Sequence, residues 1–310
     1  MLKKQILIVF LFLSLVPSCR PPEKWQNSTF LFFDTVCELK IYGTQTVFIS
    51  AKKEVQLTFS DIEKLFSPGV QALSSPLVIR LYKRALDVYT ASGGYFDITV
   101  APLSRIWGFR GGPHRVPSPD EIQKALNSIG MDRIELNKDA LSLGPGMELD
   151  WGGIAKGFGI DLATQSLIRM GVKSGFLNAG GDLYCWGTNP EKGFWKVGVK
   201  HPRKEGFLGV LSLSQIGLAT TGDYQRYFIE KGQRYHHVFN PKSGYPSRGK
   251  QSVTVIGPET LLCDALSTAL FVSPQPKEIL QKFPEYGAIL VDSNGKITFF
   301  GKSFPFRPLR

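Results

Sequence analysis

The chain has 310 residues, of which 43% are hydrophobic, 20% charged and 12% aromatic. That balance supplies apolar surface for a core and excludes intrinsic disorder, a collagen-like repeat and a small disulfide scaffold. The net charge of +11 is spread without a run of five basic residues or a nucleic-acid-binding motif, so no nucleic-acid partner is expected; it suits an anionic small molecule or membrane face.

Lys3 and Lys4 precede an apolar stretch, residues 6–15, that is short for a membrane span, and Val16-Pro17-Ser18-Cys19 follows. Residues 1–18 read as a signal peptide. A cysteine directly after such a core resembles a bacterial lipobox, which makes Cys19 the candidate lipidation site, with Pro17 departing from that pattern. Residues 19–28, polar and proline-containing, read as a lipidated tether, and residues 29–310 as one folded domain. The protein is therefore expected to be exported and lipid-anchored on the periplasmic side of a bacterial membrane, the inner one.

Residues 29–42 are apolar and β-rich and predict a strand or hairpin. Residues 52–66 carry apolar positions at helical spacing and stop at Ser67-Pro68-Gly69. Residues 77–91 predict a second helix, closed by Ser92-Gly93-Gly94, and residues 119–129 a third, with Ser118 as N-cap. Short apolar runs follow at 175–186, 195–199, 210–218 and 252–256, and residues 288–300 read as a hairpin turning at Asp292-Ser293-Asn294-Gly295. Cys37, Cys185 and Cys263 lack metal-knuckle spacing and read as small buried apolar residues. Helices and strands interleave without a βαβ period, which predicts an α+β fold with mixed, largely antiparallel sheets and flanking helices.

Four glycine-punctuated clusters concentrate the chemistry: GGYFDITVAPL from Gly93, LDWGGIAKGF from Leu149, NAGGD from Asn178, and HHVFNPKSGYP from His236 with DALSTAL downstream. The second reads as a strand end, a Gly-Gly loop and a helix start, where backbone N–H groups and Lys156 suit a phosphate; a plain tight turn fits the same residues. Asp264 and Thr268 stand four apart on a predicted helix and share a face. Such oxygens suit Mg²⁺, and they equally suit a capping carboxylate and a threonine bonded back to its own helix. His236 and His237 lack the third ligand that zinc would need.

Taken in order, FDITVAPL, LDWGGIAKG, NAGGD, ATTGDYQRYF, HHVFNPKSGYP and DALSTALFV resemble the FAD:protein FMN transferase (ApbE-like) family over roughly residues 33–270. The resemblance implies a T-fold-related architecture and Mg²⁺-dependent cleavage of FAD, with FMN passed to a threonine or serine of a membrane redox subunit and AMP released. FAD hydrolysis to FMN and AMP, and flavin storage without chemistry, remain alternatives. By motif, Phe33, Tyr95, Phe96, Asp97, Asp150, Lys156 and Val238 fall on flavin-nucleotide contacts. Gly153 (through its carbonyl), Asp264, Ser267 and Thr268 fall on metal ligands, and His237 pairs with Val238 as a flavin contact. Asp264 and His237 are the catalytic candidates, His237 as proton acceptor or orienting group because a histidine ordinarily titrates near neutral, with Asp182 an alternative base. Phe33 stands where relatives carry methionine, Ser67-Pro68-Gly69 where many carry an aromatic residue, and Trp151 where they carry a smaller apolar one.

Overall fold

The computed structural model describes residues 22–67, 72–189 and 193–309. The predicted signal peptide and Cys19 lie outside the described residues, as do Pro68 and Gly69. The described residues open with a hairpin, β1 (Lys24–Phe32) and β2 (Thr35–Gly43), turning at Phe33 and Asp34, both with φ of 55°. The strand therefore starts inside the segment read as tether. Its pairing runs back to Lys24↔Gly43, and Trp25 packs edge-on to Trp195 at 5.4 Å, which holds residues 24–28 in the sheet.

Two long helices follow, α1 (Gln45–Phe66) and α2 (Pro76–Ser92), then short α3 (Ala101–Ile106) and α4 (Pro119–Leu126). Helix α1 begins seven residues before the apolar spacing suggested, because the Thr44 side chain accepts from Val47 N–H and Phe48 and Ala51 extend the buried stripe. Helix α4 has the expected Ser118 cap, completed by Glu121 as a capping box, and ends at Leu126. A small hairpin, β3 (Glu135–Asn137) and β4 (Ala140–Ser142), leads to α5 (Ala155–Arg169). Next come β5 (Gly175–Ala179), β6 (Asp182–Trp186), β7 (Trp195–Lys200), β8 (Phe207–Leu213) and β9 (Ile216–Gly222). The run 210–218 is thus two strands, separated at Gln215 by a left-handed φ of 51°. The remainder is β10 (Tyr227–Glu230), β11 (Gln233–His236), β12 (Lys250–Gly257), α6 (Thr260–Val272), α7 (Pro276–Gln281), β13 (Gly287–Asp292), β14 (Ile297–Gly301) and β15 (Phe306–Pro308).

Eight strands form one sheet in the order β1-β2-β5-β6-β9-β12-β13-β14, and every pairing among the described residues is antiparallel. Helices α5 and α6 pack on one face, and β15-β8-β7 pack on the other through Trp195, Val197, Leu211 and Leu213. Helix α6, apolar nearly all round, is the innermost element, and twelve of its residues are buried. Cys37, Cys185 and Cys263 are free and buried, as their spacing suggested.

Candidate active site

Within α6, Thr268 is the one residue not counted among the buried, so the helix opens to the surface there. One turn earlier sits Asp264, 4% exposed. Its Oδ2 accepts the Gly157 N–H at 3.1 Å and the Lys156 ammonium at 3.4 Å. Lys156 lies in the first turn of α5, and its Nζ also stands 2.8 Å from Oδ2 of Asp182, the first residue of β6. The other Asp182 oxygen accepts the Thr220 N–H at 3.2 Å. One ammonium therefore stands between two buried carboxylates from different elements. Burial lowers the Lys156 pKa, but the facing charges of Asp182 and Asp264 outweigh it and hold the ammonium above its ordinary range. Burial raises the Asp264 carboxyl; Lys156 opposes that shift and Asp182 adds to it.

The helices approach closely because Gly157 has no side chain. A Cβ there would lie 2.5 Å from the Thr260 carbonyl oxygen. Asp161, one turn along α5, accepts the N–H groups of Thr260 (3.0 Å) and Leu261 (2.9 Å) and so seats the start of α6. On the β9 side, Thr221 Oγ1 lies 2.6 Å from Ser267 Oγ and 3.1 Å from Thr268 Oγ1. Ser267 is fully buried, and its hydroxyl donates to the Asp264 carbonyl at 2.9 Å. Gly153 comes against Thr268: a Cβ on it would be 3.3 Å from Thr268 Oγ1 and 3.4 Å from Phe96 Cε2.

Asp150 shapes that Gly-Gly loop. It accepts the Gly152 N–H at 2.9 Å and the Ser104 hydroxyl at 3.1 Å, while the neighbouring Glu148 pairs with Arg105. Its charge reaches His237. The His237 Nδ1 is 3.2 Å from the Arg226 carbonyl, which only accepts, so Nδ1 carries the proton and a neutral ring keeps its lone pair on Nε2. Burial lowers the pKa of His237 to about 4, against the Arg226 bond, which raises it.

The other sequence-derived residues form the frame. Phe96, Asp97 and Val238 are buried, and Phe96 lies directly under Gly153. Asp97 Oδ1 accepts the Thr99 N–H and hydroxyl at 2.7 and 2.5 Å, and burial raises its pKa to about 6. Phe33, at the β1–β2 turn, donates its N–H to Glu63 at 2.8 Å and packs 5.0 Å from Phe59. Tyr95 is half-buried, with the Lys242 ammonium 4.2 Å over its ring.

The structure thus joins Gly153, Lys156, Asp264, Ser267 and Thr268 in one cluster. Asp182 and Thr221 belong to it as well. Motif carry-over left both out of the ligand set, although each sits in a matching stretch, NAGGD and ATTGD. Among the described residues, no three His, Cys, Asp or Glu side chains converge as a metal-binding group.

A mixed α+β body with this oxygen-rich cluster beside a Gly-Gly loop is shared with known proteins. A sequence profile of the ApbE family matches residues 33–290. The FAD:protein FMN transferase of Haemophilus influenzae is 32% identical over 276 residues, 83% of this chain and 79% of the relative. That of Treponema pallidum is 28% identical over 300 residues, 84% and 83% of the two chains. Among solved structures, the ApbE protein of Thermotoga maritima superposes with a TM-score of 0.80 at 30% identity, covering 89% of this chain and 96% of that one. The apo form of the flavinyl transferase ApbE of Pseudomonas stutzeri gives 0.77 at 26% identity, covering 92% and 95%. The chain belongs to the ApbE family, the family of the FAD:protein FMN transferases.

Proposed function

We propose that this enzyme moves the FMN half of FAD onto a threonine or serine hydroxyl of a target protein, with Mg²⁺ bound at the Asp264 cluster and AMP released. The observation that carries the reading is the charge count at that cluster. Two buried carboxylates, Asp182 and Asp264, face a single ammonium, Lys156, so the cluster has one carboxylate more than it has cations, and a bound cation would relieve the burial that raises Asp264. Asp264, Thr268 and the carbonyls of Gly153 and Ser267 are hard oxygen donors, too few to enclose a cation, as befits Mg²⁺, which retains waters and shares substrate phosphates. When bound there, Mg²⁺ supplies Lewis-acid polarisation of phosphoryl oxygens.

The chain's own groups divide the remaining work. Lys156 offers its ammonium to pyrophosphate oxygen, and the Gly152-Gly153 turn lets the backbone approach it. The acceptor hydroxyl oxygen bonds to the FMN-side phosphorus as the bridging P–O bond to AMP breaks, and the hydroxyl proton leaves to a base. His237, neutral and with Nε2 free to accept, is the residue suited to receive it. Asp150 holds the Gly152 end of that loop.

The reading extends to the N-terminus: export through residues 1–18 and a lipid on Cys19 would keep the enzyme at the periplasmic face of the inner membrane, beside membrane-bound redox subunits. Metabolic labelling with palmitate should mark the full chain and not Cys19→Ser. The direct test of the reaction is mass spectrometry of a candidate redox subunit after incubation with the enzyme, FAD and Mg²⁺. A gain of one FMN on a threonine or serine is expected. AMP release with no modified protein would instead assign a hydrolase.

A further inference from the structure

Outside the cluster just described, a cavity of about 250 Å³ is lined in part by Arg203, Asp223, Gln233, Arg234, Arg248 and Lys250. Four cationic side chains there meet one carboxylate. Asp223 is engaged by Arg203 through two bonds of 2.7 and 2.6 Å, with Arg234 at 3.4 Å. Lys250 is engaged too, donating to the Phe271 and Ser273 carbonyls at 3.1 and 2.6 Å. Arg248 is exposed and makes no hydrogen bond or ion pair with the described residues. The side-chain nitrogen of Gln233 is buried without an acceptor. Arg248 and the Gln233 side-chain nitrogen are thus unused donors in a cavity whose charged side chains sum to a positive excess, which fits an anion.

The cavity is walled by residues just after β9, in β11 and at the start of β12, and it is tied to α6 by hydrogen bonds. Asp223 follows two residues after Thr221, whose hydroxyl touches Thr268. Lys250 and the Ser247 hydroxyl, both in the cavity wall, bond to the carbonyl of Phe271, three residues past Thr268 and so about 4.5 Å further along the helix axis. His236, also in the wall, precedes His237. In the proposed reaction the anionic part of FAD, its pyrophosphate, would be held at Lys156 and at the Mg²⁺ that Asp264 would bind. The other substrate is a protein, whose anionic side chains are carboxylates, and arginine forks match carboxylates in two-bond geometry.

We propose that this arginine-lined cavity binds an aspartate or glutamate side chain of the acceptor protein, a few residues from the hydroxyl that receives FMN. The inference rests on the transfer reading above. An extended segment advances about 3.3–3.6 Å per residue, the same order as the step of about 4.5 Å along α6 from Thr268 to Phe271.

The test uses the whole enzyme with FAD, Mg²⁺ and a library of random peptides that each carry one central threonine. FMN-labelled peptides are recovered and sequenced by mass spectrometry. The wild type should enrich Asp or Glu at one fixed offset from the labelled threonine. Arg248→Gln should weaken that enrichment about tenfold, the scale of one lost charged hydrogen bond, and Arg248→Lys should retain most of it. FAD affinity should not change in Arg248→Gln. The proposal is overturned by labelled peptides with no acidic preference, or by a preference that persists undiminished in Arg248→Gln. It is equally overturned if Arg248→Gln abolishes binding to phosphatidylglycerol vesicles while leaving peptide selection intact. If the wild type cleaves FAD and labels no peptide, the transferase reading itself falls, and the acceptor site with it.

Discussion

Lys156 Nζ stands 3.4 Å from Asp264 Oδ2 although 108 residues separate them in the chain. The contact exists because α5 and α6 touch at Gly157, one residue along from the lysine. Asp182 then closes the group from the sheet at 2.8 Å.

Removing the ammonium should cost more than one ordinary surface ion pair. Lys156→Met leaves Asp182 and Asp264 facing each other in a buried setting, and breaking such pairs costs roughly 3–5 kcal/mol. Thermal unfolding should show a lowered Tm for this variant. Millimolar Mg²⁺ should raise that Tm more than it raises the wild-type value, because the uncompensated charge is larger.

Glycine to alanine inside a helix ordinarily stabilises by about 1 kcal/mol. At Gly157 the sign should reverse. The added Cβ would lie 2.5 Å from the Thr260 carbonyl and 2.7 Å from Leu261 Cα, both backbone atoms. Overpacking of this kind costs roughly 1–3 kcal/mol, and it also pushes Lys156 away from Asp264. Denaturant unfolding should give a lower midpoint, accompanied by loss of transferase activity.

Burial raises Asp97 to about 6 from an ordinary 3.8. Below the ordinary value both folded and unfolded chains hold the proton. Between the two values the folded chain holds a proton that the unfolded chain has released, so this residue's contribution to stability is lost as pH rises through about 6. Asp97→Asn keeps an oxygen for the Thr99 N–H and hydroxyl and has no charge to bury. Its unfolding free energy should fall less than the wild type's between pH 4 and 7, by up to about 3 kcal/mol. Urea titrations across that range would measure the difference, and parallel curves would remove the assignment.

His237, lowered to about 4, is already neutral well below physiological pH. With the acceptor saturating, the transfer rate should show no histidine limb near 6.5, and its acid limb should sit close to 4. His237→Ala should lower the rate of transfer far more than it lowers FAD affinity, which a binding titration would separate from turnover.

Local signals carried much of the fold and of the site. Ser118, followed three residues later by Glu121, forms the capping box that its spacing announces. Asp292 to Gly295 makes the expected turn, with Gly295 at φ 83° and Asp292 accepting from Asn294 and Lys296. The start of α1 was hidden because Gln45, Thr46 and an exposed Ile49 break the apolar rhythm, and the signal was the Thr44 cap instead. The strand break at Gln215 was hidden because a left-handed glutamine carries no turn signature. At the site, Asp264 and Thr268 were legible as an i, i+4 pair on one helix. The bond from Thr221 to Thr268 spans 47 residues and depends on how β9 lies against α6, which no local pattern encodes.

The most direct test replaces Asp264 with asparagine, which keeps an oxygen for the Gly157 N–H and removes the charge. AMP release from FAD is then followed in the presence of an acceptor protein as Mg²⁺ is titrated. The account predicts a saturable Mg²⁺ dependence in the wild type and near-complete loss of release in Asp264→Asn at every Mg²⁺ concentration, with Tm and secondary structure preserved. Wild-type rates and Mg²⁺ dependence in a folded Asp264→Asn enzyme would contradict it.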